Sequence, residues 1–166
     1  MLFSGTPPGS QSGDMPSETQ PQDLQRGFEL LARVNYGRVA TSMRALPFLA
    51  AARHVVADGR LLLRLHRGYG YHQACDGSVV AYGADNLSGP AAEDDGAAQW
   101  SVQCVGTCDQ VEPGTAELEL FGPAPHFADG ELFDPVYLRV HPQFVTVHEL
   151  RGGSARRAPH ARVRRM

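Results

Sequence analysis

The sequence contains no lysine, so all fifteen of its permanently basic side chains are arginines. We attribute this bias first to an Ala-, Gly- and Arg-rich proteome. The formal net charge is −3 at pH 7, which excludes a global attraction to nucleic acid or anionic lipid. The charge is uneven: residues 1–150 hold nine arginines and eighteen acidic residues, a balance of −9, whereas residues 151–166 hold six arginines and no acidic residue.

Cysteine is scarce, with only Cys75, Cys104 and Cys108. The count is odd and no CxxC pair or zinc-ligand spacing occurs, so neither a disulfide framework nor a metal site is indicated. Cys104 and Cys108 are four residues apart on a predicted strand, so their side chains lie on the same face but too far apart to form a disulfide. The pattern predicts buried, reduced thiols in a reducing compartment.

Long hydrophobic runs are also missing. No apolar stretch approaches the ~20 residues that a membrane-spanning helix needs, and the N-terminal segment lacks the basic and hydrophobic regions of a signal peptide. We therefore expect a cytoplasmic protein with no membrane partner. No Ser-His-Asp, paired-carboxylate or Walker pattern stands out either.

Composition divides the chain into three parts. Residues 1–21 are rich in Pro, Ser, Gly and Gln and are predicted to be a disordered leader. Residues 22–150 are long enough for one domain with its own core. Residues 151–166 are predicted to be a flexible Arg-rich tail. The tail lacks interleaved aromatic residues, so we favour a solubilising end over a nucleic-acid contact.

Periodicity predicts one helix followed by short strands. Leu24, Phe28 and Leu31 have helical spacing. Ala57-Asp58-Gly59 predicts a hairpin turn between two strands, and Gly106 interrupts an alternating strand as a bulge or close-approach point. Pro142 is predicted to break the last strand into two pieces. Many short strands with few helices favour a mainly β, antiparallel barrel, although periodicity alone does not separate a barrel from a sandwich.

Four strings follow one another along the chain: LLARVNYGRVATS, VVADGRLLLRLHRG, SVVAYGAD and WSVQCVGTCDQVE. In this order they resemble the pyridoxamine 5′-phosphate oxidase-like family of FMN-binding split-barrel proteins. The resemblance covers roughly residues 24–150 and rests on element order and several moderate motifs. It implies a six-stranded antiparallel split β-barrel of the flavin-binding type, a homodimer, and FMN at the dimer interface, where the flavin carries out the chemistry of an oxidoreductase.

The resemblance also assigns roles to segments of this chain. The second strand would line the flavin ring, the end of the third strand and the turn after it would hold the phosphate, and the WSV strand would come from the partner subunit. His54 is the best available guess for a catalytic acid or base. The candidate cofactor-binding residues are Ala52, Arg53, His54, Arg64, His66, Arg67, Tyr69, Tyr71, His72, Trp100 and Gln103.

The predicted phosphate turn departs from the family pattern. A phosphate dianion needs donors that carry positive charge, yet Tyr69-Gly70-Tyr71 stands where family members that bind the cofactor usually present a hydroxyl and one or two cations. Arg64 and Arg67 are left to supply the charge. FMN binding therefore stays open.

Several alternatives stand beside the flavoenzyme. The chain is equally consistent with a non-catalytic split-barrel dimer that has lost tight FMN binding and takes another small ligand or a protein partner. Haem and deazaflavin are less favoured cofactors, because no single histidine is marked as an axial ligand and no long cationic groove is evident. The sequence also leaves open that Arg64 simply faces solvent and that Trp100 belongs to the core. Oxidation of pyridoxamine phosphate itself is not expected, because no second phosphate site is evident near the C-terminus.

Overall fold

The computed structural model describes residues 21–88 and 98–151. The predicted leader, apart from its last residue Pro21, lies outside the described residues, as does the predicted tail after Arg151. Pro21 is the first residue of a helix instead of the last of the leader. A proline at the first position of a helix loses no hydrogen bond, because the first N–H groups of a helix have no partner within it.

The described chain forms three α-helices, one 3₁₀ turn and eight strands. The helices are α1 (Pro21–Leu31), α2 (Tyr71–Cys75) and α3 (Thr115–Phe121), and the 3₁₀ turn is Arg67–Tyr69. The strands are β1 (Tyr36–Met43), β2 (Leu46–Ala57), β3 (Arg60–His66), β4 (Ser78–Asp85), β5 (Gln99–Val111), β6 (Phe127–Ala128), β7 (Glu131–Leu132) and β8 (Pro135–Leu150).

Six of these strands close into a ring in the order β1-β2-β3-β8-β5-β4. Every neighbouring pair is antiparallel. The predicted mainly β, six-stranded antiparallel barrel is thereby confirmed. The strands β6 and β7 form a separate two-stranded hairpin, which the sequence did not reveal because each strand has only two residues.

The turn between β2 and β3 is the predicted hairpin. Asp58 and Gly59 both have positive φ, 49° and 70°. Two such residues in succession suit the two-residue turn whose twist matches that of the flanking strands. This turn sets the register in which Arg53 on β2 lies opposite Arg64 on β3.

Both faces of β3 are buried. Leu61, Leu63 and Leu65 point inward and belong to the main core. On the outer face, Leu62 packs with Phe121 in a second, smaller cluster, because α3 lies against the outside of the barrel. The outer face of β3 is therefore covered, which decides where its arginine lies.

The strand β8 is continuous, so the predicted break at Pro142 is wrong. Pro142 lies opposite Gly106 where the register between β5 and β8 shifts. A missing N–H is tolerated at such an irregularity. Gly106 is the predicted close-approach point, because a Cβ at this position would lie 1.8 Å from the carbonyl oxygen of His141.

The three cysteines are free and buried. Burial raises the pKa of both Cys104 and Cys108 to about 12, so neither is a reactive thiolate near neutral pH. Within the described ranges, no helix is long and apolar enough to cross a membrane, and no group of His, Cys, Asp or Glu side chains is arranged to hold a metal ion.

Candidate functional site

A cleft of about 170 Å³ opens on the outer wall of the barrel, where β1, β2 and β3 meet the turn after β3. No acidic residue lines it. We call it the arginine cleft. Its lining residues are Tyr36, Ala51, Arg53, Arg64, Leu65, His66, Tyr69, Pro125 and Phe133.

Two arginines face each other in this cleft. Arg53 and Arg64 are direct cross-strand partners between β2 and β3, so their side chains leave the same face of the sheet. Like charges placed directly opposite each other are destabilising. No ion pair among the described residues includes either arginine. The cleft therefore concentrates positive charge that no described carboxylate neutralises.

Arg64 is buried, with 4% of its surface exposed, and does not have the solvent-facing position that the sequence left open. Its Nη1 donates to the carbonyl oxygen of Gly122 at 2.9 Å and its Nη2 to that of Pro123 at 3.2 Å. Its guanidinium also lies 5.4 Å from the ring centroid of Phe121. A guanidinium has five N–H groups, so these two bonds fix its orientation and leave donors free.

Arg53 is held in a similar way. Its Nη1 donates to the carbonyl oxygens of Asn35, at 3.1 Å, and of His54, and its Nη2 donates to that of Leu120 at 3.3 Å. Its guanidinium lies 6.0 Å from the ring centroid of Tyr36. Backbone carbonyls satisfy donors without cancelling a full charge, so both arginines stay cationic and oriented.

His66 ends β3 and is buried in the wall of the cleft. Its Nδ1 accepts a hydrogen bond from the backbone N–H of Asp134 at 3.0 Å. Its ring packs edge-on against Tyr69, with 5.0 Å between centroids, and stacks on Phe133 at 5.3 Å. A backbone N–H can only donate, so Nδ1 carries no proton in this arrangement and the ring proton resides on Nε2.

Other residues of the predicted phosphate turn make contacts outside the arginine cleft. Arg67 is exposed and its Nε lies 3.2 Å from a carboxylate oxygen of Asp134. Tyr71 is half-buried, 6.0 Å from the ring of Phe48 and 6.1 Å from that of Tyr69. The arginine cleft is not lined by Arg67, Tyr71 or His72.

His72 is the predicted turn residue that lies deepest. It is buried, and its Nδ1 has no hydrogen-bond partner among the described residues. Burial lowers the pKa of His72, as does the positive charge of Arg67, while Asp134 and Asp76 act in the opposite direction. It is therefore not placed as a charged donor for a phosphate.

His54 points into the barrel, away from the cleft. The hydroxyl of Tyr82 donates to its Nδ1 at 2.5 Å, and its Nε2–H donates to the carbonyl oxygen of Leu31 at 2.7 Å. Burial lowers the pKa of His54, with a further lowering from the charge of Arg53 and a partial offset from the bond to Leu31. With both nitrogens engaged and 1% of its surface exposed, His54 has the placement of a structural residue, which disfavours the predicted catalytic role.

Ala52 and Trp100 also face inward and are part of the main core. For Ala52, alternation along β2 is the physical reason, since Arg53 faces outward and its neighbours on either side must face inward. On β5, Trp100 shares the inner face with the buried Val102 and Cys104. Trp100 therefore does not present its ring on the outer wall. Gln103 is exposed and lines a second cleft of about 390 Å³, which shares Tyr36 with the arginine cleft.

The structure thus brings Arg53, Arg64, His66 and Tyr69 together and leaves the other predicted residues outside the cleft. Sequence reasoning missed the remaining side chains of its wall. Tyr36 joins through the β1–β2 pairing, in which it lies opposite Arg53. Pro125 and Phe133 come from the segment between α3 and β8, and no local pattern links that segment to β3.

Comparisons with known proteins agree with this fold. The family described as pyridoxamine 5′-phosphate oxidase matches residues 23–149. The uncharacterized protein Rv0080 of Mycobacterium tuberculosis is 33% identical over 111 residues, which span 63% of this chain and 70% of that protein.

Solved structures show the same architecture. The FAD binding protein from Mycobacterium smegmatis has a TM-score of 0.59 at 21% identity, over 81% of this chain and 100% of that one. A heme binding protein from the same organism has a TM-score of 0.54 at 16% identity, over 80% of this chain and 59% of that one. Structural relatives of this chain therefore bind FAD or haem. Because the family match covers most of the sequence and the barrel is the one that the resemblance implied, this chain belongs to the pyridoxamine 5′-phosphate oxidase family.

Proposed function

We propose that this protein binds FMN in the arginine cleft at a homodimer interface and acts as a flavin-dependent oxidoreductase on a small-molecule substrate. The observation that carries the proposal is the pair of oriented arginines, Arg53 and Arg64, that face each other without a described carboxylate partner. A monophosphate would neutralise this charge. Guanidinium groups match phosphate oxygens in both charge and geometry.

The other residues of the cleft fit a flat phosphorylated ligand. Of the three consecutive alanines of β2, only Ala51 is exposed, and its small side chain leaves room for a ring to lie against the strand. Tyr36, His66 and Tyr69 add further hydrogen-bonding groups. The absence of an acidic residue from the lining of this cleft favours an anionic ligand over a cationic one.

The size of the cleft supports a dimeric site. At about 170 Å³ it is smaller than the roughly 300–1,000 Å³ of typical ligand pockets, so a second subunit would have to complete it. An apolar row crosses the outer wall beside it, and such a row favours contact with another protein surface. Its members lie in register and are at least partly exposed: Leu49, Ala40, Ala81, Val105 and Phe144.

Bound FMN would supply the electron-transfer chemistry. The chain would contribute the rest: Arg53 and Arg64 hold negative charge, Ala51 leaves space for the ring, and Gln103 of a second subunit would offer an amide from the neighbouring cleft. His54, predicted as the acid or base, is better placed as a structural residue.

An absorption spectrum of the purified protein tests this proposal. We expect flavin bands that persist when the protein is loaded with FMN and then dialysed. Parallel loading with FAD and with haemin separates the cofactors of the structural relatives from FMN. A protein that retains FAD or gives a Soret band, and releases FMN, would contradict the assignment.

A second candidate function is a non-catalytic dimer that takes another small ligand or a protein partner. The observation that favours it is the turn at Tyr69-Gly70-Tyr71, whose rings pack on their neighbours while Arg67 already pairs with Asp134. This candidate predicts a colourless protein that stays dimeric and releases every flavin on dialysis.

A further inference from the structure

The second cleft, of about 390 Å³, lies across four strands of the outer wall and has the size of a small-molecule site. It is separate from the arginine cleft except for Tyr36, which lines both. We call it the glycine cleft, after Gly83 among its lining residues. Polar side chains from β1, β4, β5 and β8 line it: Arg38, Asp85, Ser101, Gln103 and His148.

The register of the strands places Gly83 between two long side chains. Gly83 on β4 lies directly opposite Arg38 on β1 and Gln103 on β5. Side chains of directly opposite residues leave the same face of a sheet, so Arg38 and Gln103 stand on either side of a position that has no side chain. Gly83 is therefore the floor of the cleft.

Neither backbone conformation nor packing among the described residues accounts for this glycine. Gly83 is not among the glycines with positive φ, and the pairing of β4 with β5 is regular there. A Cβ at this position would meet only the carbonyl oxygen of Val102, at the ordinary contact distance of 3.7 Å. A glycine inside a strand weakens it and often marks a site that a ligand approaches closely. We therefore look for a ligand that uses the open floor.

Arg38 and Asp85 carry opposite charges into this cleft. Asp85 comes two residues after Gly83 on β4, so it shares the outer face with Arg38 and lies diagonally from it. Neither side chain forms an ion pair with any described residue. The Oδ1 atom of Asp85 accepts a hydrogen bond from the N–H of Leu87 at 3.0 Å, which orients the carboxylate and leaves Oδ2 available to a ligand.

We propose that the glycine cleft binds a small aromatic zwitterion, with its carboxylate on Arg38, its ammonium group on Asp85 and its flat body over Gly83. Guanidinium matches carboxylate in charge and geometry, and Tyr36 adds an aromatic wall. Free aromatic amino acids have this chemistry. The inference goes beyond the proposed function and does not depend on FMN, because neither Arg38 nor Asp85 lines the arginine cleft.

Isothermal titration calorimetry of the purified protein tests the site with three matched probes. L-Phenylalanine carries both charged groups, phenethylamine lacks the carboxylate, and 3-phenylpropanoate lacks the ammonium group. We expect phenylalanine to bind roughly tenfold or more tightly than either of the others, because each of them loses hydrogen bonds between charged groups. Titrations before and after loading with FMN keep a failed flavin site from hiding this one.

Two substitutions should each remove one half of the recognition. Arg38→Gln should weaken phenylalanine binding roughly tenfold or more without weakening that of phenethylamine. Asp85→Asn keeps an oxygen for the N–H of Leu87, and should weaken phenylalanine binding to a similar extent without weakening that of 3-phenylpropanoate. Gly83→Ala, which raises the floor, should weaken the binding of all three probes. Arg33→Gln, outside the cleft, is the control, and thermal unfolding checks that each variant is folded.

Equal affinities of the wild type for the three probes would overturn the recognition of a zwitterion. The site itself would be overturned if phenylalanine did not bind, or if Arg38→Gln, Asp85→Asn and Gly83→Ala all bound it as the wild type does. Both results would leave the proposed function standing. A protein that binds phenylalanine in this pattern but retains no flavin would contradict the proposed function alone.

Discussion

At the scale of single residues, the buried pair His54 and Tyr82 ties β2 to β4 inside the barrel. Burial lowers the pKa of His54 and raises that of Tyr82, so both groups are neutral in the folded state around neutral pH. The hydrogen bond between the two side chains therefore forms without burying a charge. His54 contributes to the core as a hydrogen-bonded polar residue, as most buried polar side chains do.

This pair predicts a pH dependence of stability. The folded pKa of His54 is depressed, so below its ordinary value of 6.5 the unfolded chain binds a proton that the folded chain does not. The contribution of His54 to the free energy of unfolding should be constant above that value and fall as the pH drops below it, by up to about 1.4 kcal/mol per pH unit for one proton. His72 acts in the same direction.

Urea unfolding between pH 7 and pH 5 measures this effect. The variant His54→Gln should be less stable than the wild type at pH 7. Its free energy of unfolding should also fall less steeply on acidification, by the amount that corresponds to the uptake of about one proton on unfolding. A variant with the same pH dependence as the wild type would show that His54 titrates normally in the folded protein.

Some of the site was predictable at this scale, for a physical reason. Arg53, Arg64 and His66 interrupt apolar strands, and strand alternation places Arg53 and Arg64 on the face opposite the core leucines. The burial of Arg64 was not predictable, since it depends on carbonyls of Gly122 and Pro123, more than fifty residues away in sequence. Local pattern carries no information about such contacts.

At the scale of elements, the β5–β8 pair depends on one glycine. Gly106 lies against the backbone of His141 at the register shift, and a Cβ there would meet its carbonyl oxygen at 1.8 Å. Backbone cannot move aside as a flexible side chain would. The sequence marked this position because a glycine inside an alternating strand is otherwise unfavourable.

Gly106→Ala should therefore destabilise the protein by roughly 2 kcal/mol or more, as overpacking against rigid neighbours does. Gly83→Ala is the matched control, because Gly83 also lies within a strand and a Cβ there meets only the carbonyl oxygen of Val102, at 3.7 Å. Thermal or urea unfolding compares the two. Equal stabilities for both variants would show that the strands separate at Gly106 without cost.

The continuity of β8 was the clearest misprediction at this scale. A proline inside a strand pattern usually ends the strand, because it cannot donate to the ladder. Here Pro142 lies opposite Gly106 at the register shift between β5 and β8. The residue that lacks an N–H therefore pairs with the residue that lacks a side chain, where the ladder is already irregular. A single sequence shows each of them but does not show that they are neighbours.

At the scale of the whole molecule, the ring closes through the pairs β1–β4 and β3–β8. These pairs join segments far apart in sequence, so periodicity predicted the strands and left barrel and sandwich undecided. The outer wall of the ring carries the apolar row of Leu49, Ala40, Ala81, Val105 and Phe144. That row is the basis for the proposed homodimer.

Ala81→Arg should break this dimer. Ala81 lies at the centre of the row, and a guanidinium there would be buried in the interface without a carboxylate partner. Light scattering after size exclusion should give a dimer for the wild type and a monomer for the variant, with weaker FMN binding by the monomer. Leu132→Arg is the control, because Leu132 is 74% exposed and lies on the separate β6–β7 hairpin. A dimer that survives Ala81→Arg would place the interface elsewhere.

The central claim is that Arg53 and Arg64 hold the phosphate of FMN, and the FMN dissociation constant of Arg64→Gln tests it most directly. Arg33→Gln removes the same charge from an exposed position outside the arginine cleft and serves as the control. We expect Arg64→Gln to bind FMN roughly ten- to a hundredfold more weakly than the wild type, with Arg33→Gln unchanged. Equal affinities of all three proteins for FMN would show that the arginine pair is not the phosphate site.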